Sequence, residues 1–481
     1  MSIAKLVSVR KSAGEFVREK NNFDAGAFRK EIVGAKTRVQ TLKGRKLNYI
    51  NLDNAASTPA LRTAVEEIKK YLPWYSGVHR GTGFKSLIST HAYEKARQEI
   101  GAFVGADPDL DTVILLKNTT EAINKLSYRF DFKPGDRVLT TAMEHHSNDL
   151  PWRQHTRVHY VQVDGKGRLD INDLEKKLKI NYPKVKLLAV CGASNVTGHI
   201  NDVHYIAQMA HEYKARILVD GAQLVPHRVV NMRDHKDQAH LDFMVFSGHK
   251  IYAPFGTGVL IGPYDFFAQG DPEYSGGGTV DMVFHEGVYW SAPPEKDEAG
   301  SPNVLGAIGL AASLRYLQKI GMHKLAAYED ELTCYALNRL QKIRGLKIYG
   351  AESRVGVISF NIKGVEHGLV GAELCYGAGI GVRNGCFCAQ PYVRHLLELN
   401  SGYLPEYEEQ GLPGMVRISL AAYNTRQEID YLADCLDGII NRRYELKKQY
   451  VFSPQDNTFY PRQWDAKKLL QVSRVSREPS P

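Results

Sequence analysis

Between residues ~110 and ~265, short apolar runs rich in β-branched residues alternate with segments whose apolar residues recur at helical spacing. The runs are TVILLK (112–117), RVLTTAM (137–143), KLLAVCG (186–192), RILVD (216–220), FMVFSG (243–248) and GVLIG (258–262), with the helical patterns TTEAINKLSYRF and VHYIAQMAHEY between them. This alternation predicts right-handed crossovers and a mostly parallel sheet covered on both faces, an α/β domain. Past the long helical stretch at 299–321 the pattern changes to GVISFNI (356–362) and MVRISLA (415–421), flanked by long helices. That predicts a smaller α+β domain, completed by part of the N-terminal segment. The expected organisation is an N-terminal segment packing with the small domain (1–60), a large domain (61–314), a small domain (315–445) and an appended extension with little periodicity (446–481).

The 481 residues are 43% hydrophobic, enough for a substantial core, and no apolar run approaches the ~20 residues that cross a bilayer. With charges throughout the first twenty residues, neither a membrane span nor a signal peptide is expected, and the setting read from the sequence is cytoplasmic. Six unevenly spaced cysteines do not make a disulfide framework and are read as reduced, which leaves room for a reactive thiolate. Much of the net charge of +9 lies toward the two ends. Without interleaved aromatics or a recognition module these arms are read as solvated surface, not as a nucleic-acid site.

Ligands of parallel α/β sheets collect beyond the carboxyl ends of the strands, so the residues after each apolar run carry the functional signal. Thr119 and Thr120 open a helix after the first run, as an N-cap or as holders of a phosphate at the helix N-terminus. After RVLTTAM come His145 and His146, whose neighbouring side chains point apart on an extended segment, and no HExxH accompanies them. A stacking or acid–base imidazole is expected there, and no metal. Asn195 follows KLLAVCG, and Asp220 ends a buried strand, where a carboxylate is costly unless it meets a cation such as a protonated pyridine nitrogen. FMVFSGHK ends with Ser247, His249 and Lys250, and in this company Lys250 reads as a Schiff-base lysine with a lowered pKa. RGTGFKS (80–86) and FGTGVLIG (255–262) imitate nucleotide-binding glycine patterns without the required spacing.

Together, NLDNAASTP (51–59), NTTEAIN, MEHHSNDLPW, ASNVTG, VDGAQLVPH, FSGHKIYAPFGTGVL, GGGT, EAGSPN, VRNGCFCAQP and VRISLAAYNT (416–425) resemble, in collinear order, the class V aminotransferase-fold enzymes. Within these, the sequence is similar to the SUF-type (group II) cysteine desulfurases and selenocysteine lyases. The resemblance implies a pyridoxal 5'-phosphate (PLP)-dependent transferase of fold type I, with a seven-stranded, mostly parallel sheet in its large domain. It implies that Lys250 carries the cofactor, Asp220 meets the pyridinium nitrogen, Gln223 lies near the phenolic oxygen and His145 stacks on the ring. Thr119, Thr120, Ser247 and His249 would hold the phosphate, with Ser301 reaching the partner subunit's phosphate in a homodimer. Asn195 and Arg417 would bind the carboxylate of the amino-acid substrate, L-cysteine or an analogue, with Arg383 beside them. The family frame Arg-x-Gly-x-x-Cys-Ala falls on Arg383, Gly385, Cys388 and Ala389, so Cys388 is the expected nucleophile, which would hand sulfur to an acceptor protein, as in iron-sulfur cluster assembly.

Three departures bear on this. GCFC stands where GHHC is usual, Lys296-Asp297 replaces an arginine and an aromatic, and the segment from Cys388 to Arg417 is long. The CxC spacing leaves open that Cys386 resolves a persulfide or disulfide at Cys388. Two other readings stand beside desulfuration: a C–S β-lyase, epimerase or transaminase of the same fold, and a non-catalytic sulfur-carrier or scaffold protein.

Overall fold

The computed structural model describes residues 23–42, 44–399 and 412–462. The basic stretches at 9–20 and 465–481, and most of the long part between Cys388 and Arg417, lie outside the described residues.

Seven strands form the main sheet: β1 (Asp111–Leu116), β2 (Arg137–Thr141), β3 (Arg157–Val161), β4 (Val185–Cys191), β5 (Arg216–Asp220), β6 (Phe243–Ser247) and β7 (Gly258–Pro263). Their order is β1-β7-β6-β5-β4-β2-β3, and only β7 runs antiparallel to its neighbours. The central strands read as continuous apolar runs because helices cover both faces; every residue of β6 and β7 is buried. β3, absent from the sequence reading, is an edge strand with a mixed exposed pattern that no apolar run betrays. Helices α1 (Thr119–Arg129), α2 (Val203–Glu212) and α3 (Val304–Ile320) follow the expected segments.

A second core gathers around a four-stranded antiparallel sheet of β8 (Leu346–Tyr349), β9 (Val357–Ile362), β10 (Arg383–Gly385) and β11 (Met415–Ser419), in the order β8-β9-β11-β10. Helix α4 (Met322–Leu340) belongs to both cores: Met322 and Leu325 pack into the large one, Leu332, Ala336 and Leu340 into the small one. The N-terminal segment is divided in the same way. Phe28 of the helix Ala25–Glu31 packs into the large core, against Tyr252 and Tyr316, so this part of the segment joins the large domain. Ile50–Asn51 pairs with Ile380–Gly381, and Asp53 bridges to Ser419, so the following residues do complete the small domain.

The extension is not without pattern at its start. β12 (Tyr450–Ser453) and β13 (Thr458–Pro461) form a hairpin whose Tyr450 is buried and donates its hydroxyl to Glu373, and whose Phe459 packs on Gly368. Tyr450 and Phe452 alternate at period two on the first strand, and Phe459 and Tyr460 lie on the second, over a span too short to stand out.

Candidate active site

The carboxyl ends of β2, β4, β5 and β6 open onto a cavity of about 310 Å³. It is lined by Thr119, Thr120, His145, Asn195, Asp220, Gln223, Ser247, His249, Lys250, Arg383, Cys388 and Arg417, so twelve of the residues singled out in the sequence meet in one place. Ser301 does not line it; it sits in a separate cleft with Gly77, His79, Arg80, Gly277 and Gly278.

One corner is built for an anion. Asn118, not either threonine, is the N-cap of α1, its side chain accepting from the Glu121 N–H at 3.0 Å. This frees the threonines for other work. Thr119 Oγ1 lies 2.7 Å from Ser247 Oγ, which also accepts the Thr119 N–H, and Thr120 Oγ1 lies 2.7 Å from Ser147 Oγ. Hydroxyls and helix N-terminal N–H groups around one point favour a phosphate. Ser147 was not read from the sequence, since a serine two residues past His145 carries no signal alone.

The opposite wall is built for a cationic ring. Asp220 is buried with Oδ1 accepting from the Ala222 N–H, and burial pushes its pKa up while the Lys250 charge partly offsets it. A protonated ring nitrogen would stabilise this carboxylate. Burial pushes Lys250 down to about 8, with Asp220 opposing and Arg417 adding to the shift, so its amine is a nucleophile and base near neutral pH. Burial first, then Lys250, His146 and Arg417, hold His145 at about 3, and its Nδ1 accepts from the Ser147 N–H. His145 is thus a neutral ring. His249 is lowered to about 4, by burial and Lys250. Gln223 donates through Nε2 to the Ala55 carbonyl, leaving Oε1 buried without a partner. An acidic wall, a lysine amine, a neutral imidazole and an anion corner are the donor set that PLP requires.

The substrate end holds two arginines paired across adjacent strands, Arg383 on β10 and Arg417 on β11. Asp53 bridges them, 2.8 Å from Arg383 Nη2 and 3.2 Å from Arg417 Nη2. Asp53 lies in NLDNAASTP, but its partners are far away in sequence and nothing local names its role. Arg417 also donates to the Asn195 carbonyl, and its Nε is buried without a partner. Asn195 turns its Nδ2 to the Phe387 carbonyl at 2.7 Å and so holds the cysteine loop. Gly385 adopts φ 108, a backbone region that favours glycine, which explains the glycine two positions after Arg383, and Gly414 packs against its backbone so closely that a Cβ on Gly414 would come within 2.6 Å.

The two cysteines are unlike. Cys388 is exposed and lines the cavity. Cys386 is half-buried, its thiol donating to the Pro413 carbonyl at 3.0 Å, and burial pushes its pKa up. Phe387, in place of a histidine, lays its ring on Arg417 at 4.9 Å. Lys296 reaches the carbonyls of Ala268, Gln269 and Gly270, and Asp297 lies beside Arg129, so this departure caps the helix Tyr264–Ala268 from within. Beneath the floor, burial pushes Glu144 up to about 7 despite hydrogen bonds from Thr141, Asn148 and the Cys191 N–H.

Residues 50–432 match the family described as aminotransferase class-V. The chain is 36% identical to a probable cysteine desulfurase of Halalkalibacterium halodurans over 407 residues, 83% of this chain and 94% of that one. It is 35% identical to a probable cysteine desulfurase of Mycolicibacterium paratuberculosis over 426 residues, spanning 86% of this chain but 58% of the relative. The solved apo structure of a cysteine desulfurase from Thermococcus onnurineus NA1 superposes with a TM-score of 0.73 at 33% identity, over 82% of this chain and 95% of that one.

Proposed function

Because the chain belongs to the class-V aminotransferase family, whose enzymes depend on PLP, we propose that it is a cysteine desulfurase that converts L-cysteine to L-alanine and takes the sulfur onto Cys388. The observation that carries this reading is the exposed Cys388 on the wall of the cavity that also holds Lys250 and Asp220.

When bound, PLP supplies an electron sink for charge that develops at the substrate Cα. Asp220 would hold the ring nitrogen, His145 would stack on the ring, and Thr119, Thr120, Ser147, Ser247 and His249 would hold the phosphate. Arg417 and Asn195, with Arg383 beside them, would bind the substrate carboxylate, in whose place Asp53 is the resident counter-ion of the two arginines. Lys250, with a pKa of about 8, would hold the cofactor, and its Nζ would take and return the proton at the substrate Cα. The Cys388 thiolate attacks the substrate sulfur: an S–S bond forms, the Cβ–S bond breaks, and its electron pair passes to the carbon fragment. That fragment takes up protons and leaves as alanine. Cys388 keeps a persulfide for an acceptor thiol on another protein, consistent with a role in iron-sulfur cluster assembly.

The active form is a homodimer. Trp74, Tyr75, Phe84, Met282, Phe284 and Tyr289 are about half exposed or more, on segments joined by the Arg80 hydrogen bond to the Val280 carbonyl. Ser301 lies in the cleft between these segments and outside its own subunit's cavity, which supports a role toward a second copy. No helix among the described residues is long and apolar enough to cross a membrane.

The test is incubation of the purified, PLP-loaded protein with L-cysteine, quantifying alanine and pyruvate together. Alanine in excess supports desulfuration. Pyruvate with ammonia as the main products makes it a C–S β-lyase, and no product removes both readings.

A further inference from the structure

At the amino-terminal ends of the strands, opposite the cavity, α2 and the loop before β6 bring a group of histidines together. Three consecutive loop carbonyls face imidazole Nδ1 atoms: Asp237 with His240 at 2.7 Å, Gln238 with His211 at 2.7 Å and Ala239 with His204 at 2.8 Å. A carbonyl only accepts, so each ring carries a proton on Nδ1 and has Nε2 as its remaining nitrogen. In His211 and His240 that nitrogen faces one carboxylate, 2.8 Å from Asp242 Oδ2 and 3.6 Å from Asp242 Oδ1 respectively.

A bare ring nitrogen and a carboxylate oxygen oppose lone pairs, so a cation belongs between them. Either each ring takes a second proton, or one metal ion serves both. Two imidazolium rings would stand face to face, since the centroids are 4.4 Å apart at 22° between planes. A single divalent ion avoids that repulsion and satisfies all three groups. The candidate ligand atoms lie within 4.8 Å of one another. Ligands about 2.0–2.2 Å from a tetrahedral zinc are roughly 3.3 Å apart, and the two contacts, made to the two different oxygens of Asp242, straddle that spacing. The outer support is also present: backbone carbonyls on both Nδ1–H groups, and the Ile217 N–H on Asp242 Oδ2 at 2.8 Å. His235 stacks on His240 at 5.5 Å but turns its Nε2 to Asp111, outside the set.

We propose that His211, His240 and Asp242 form a binding site for one divalent transition-metal ion of the zinc class, with water in the fourth position. Two imidazoles and one carboxylate select zinc or cobalt over magnesium or calcium. The ion would tie the end of α2 to the loop at 233–242 and to the starts of β5 and β6, a structural role remote from the cavity.

The test uses Cys386→Ser/Cys388→Ser protein, which removes the paired thiols of the cavity loop and leaves the separate Cys334 and Cys375, stripped with EDTA and titrated with Co²⁺. The expected result is one equivalent bound with the visible bands of four-coordinate cobalt, displaced by Zn²⁺. His211→Gln and His240→Gln should each weaken that binding by about a hundredfold or more. As a measurement that needs no variant, Zn²⁺ should protect His211 and His240 of the parent enzyme from diethylpyrocarbonate, mapped by peptide mass. No bound equivalent, equal binding in both histidine variants, or unprotected histidines would overturn the proposal and leave a purely protonic network.

Discussion

The backbone N–H of His146 donates to the carbonyl of Cys388 at 2.6 Å, tying the loop that presents the thiol to the strand end that presents His145. The same histidine accepts the Gln390 N–H on Nε2 at 3.2 Å, and Asn195 holds the Phe387 carbonyl from the other side. Phe387 and Cys388 both adopt left-handed backbone, at φ 53 and 54, a conformation that costs non-glycine residues energy and persists only when surroundings enforce it. The Cys388 thiol is therefore held in position by its neighbours, not by its own loop.

Replacing His146 by Ala removes the side-chain tether and keeps the backbone one. A lost hydrogen bond of about 1 kcal/mol corresponds to roughly fivefold slower alanine formation. The visible absorbance of bound cofactor should stay unchanged, and a steady-state assay beside the absorption spectrum checks both.

Asp53 neutralises two arginines, one of them with only 4% of its side chain exposed. In Asp53→Ala that buried guanidinium loses its counter-ion, with an expected loss of about 3 kcal/mol in denaturant unfolding. The freed arginines should at the same time bind small carboxylates more tightly, seen as a lower inhibition constant for acetate or succinate.

The chemistry at the strand ends was legible because each residue lies at or just past the end of an apolar run: position marks Asp220 and Asn195, and their company marks Lys250. The collinear motifs then assigned roles to Gln223, Arg383 and Arg417. What stayed hidden depends on contacts distant in sequence. Nothing near Asp53 points to Arg383 or Arg417, and nothing near His146 separates a loop tether from a second catalytic imidazole. Thr119 and Thr120 looked like caps until Asn118 took that role. β3 and the hairpin of β12 and β13 escaped because edge strands and short hairpins lack the apolar runs that mark buried ones.

Lys250 titrates near 8 instead of its ordinary 10.5 because burial penalises its ammonium form. The amine is the reactive form, so cofactor uptake by the apoprotein should accelerate about tenfold per pH unit below 8 and level off above it. The same depression means that the unfolded chain binds more protons than the folded apoprotein between those two values, so apoprotein stability gains from this group as pH rises through that window. Stopped-flow absorbance across pH 6–10 reads the first effect; uptake still climbing above pH 9 contradicts the assignment.

The anion corner can be separated from the ring-binding wall by ligand choice. Thr120→Val should weaken PLP binding about tenfold, the worth of one charge-assisted hydrogen bond. It should leave the affinity for pyridoxal, which lacks the phosphate, unchanged in equilibrium titrations. An equal loss for both ligands would place Thr120 outside the phosphate site.

The central claim is that Cys388 takes the sulfur. Peptide mass spectrometry after exposure to L-cysteine without reductant, on the parent, Cys388→Ala and Cys386→Ser, tests it most directly. The account predicts one added sulfur on Cys388 in the parent and in Cys386→Ser, and neither persulfide nor alanine above background in Cys388→Ala with cofactor still bound. Sulfur on Cys386, or undiminished alanine from Cys388→Ala, would contradict it.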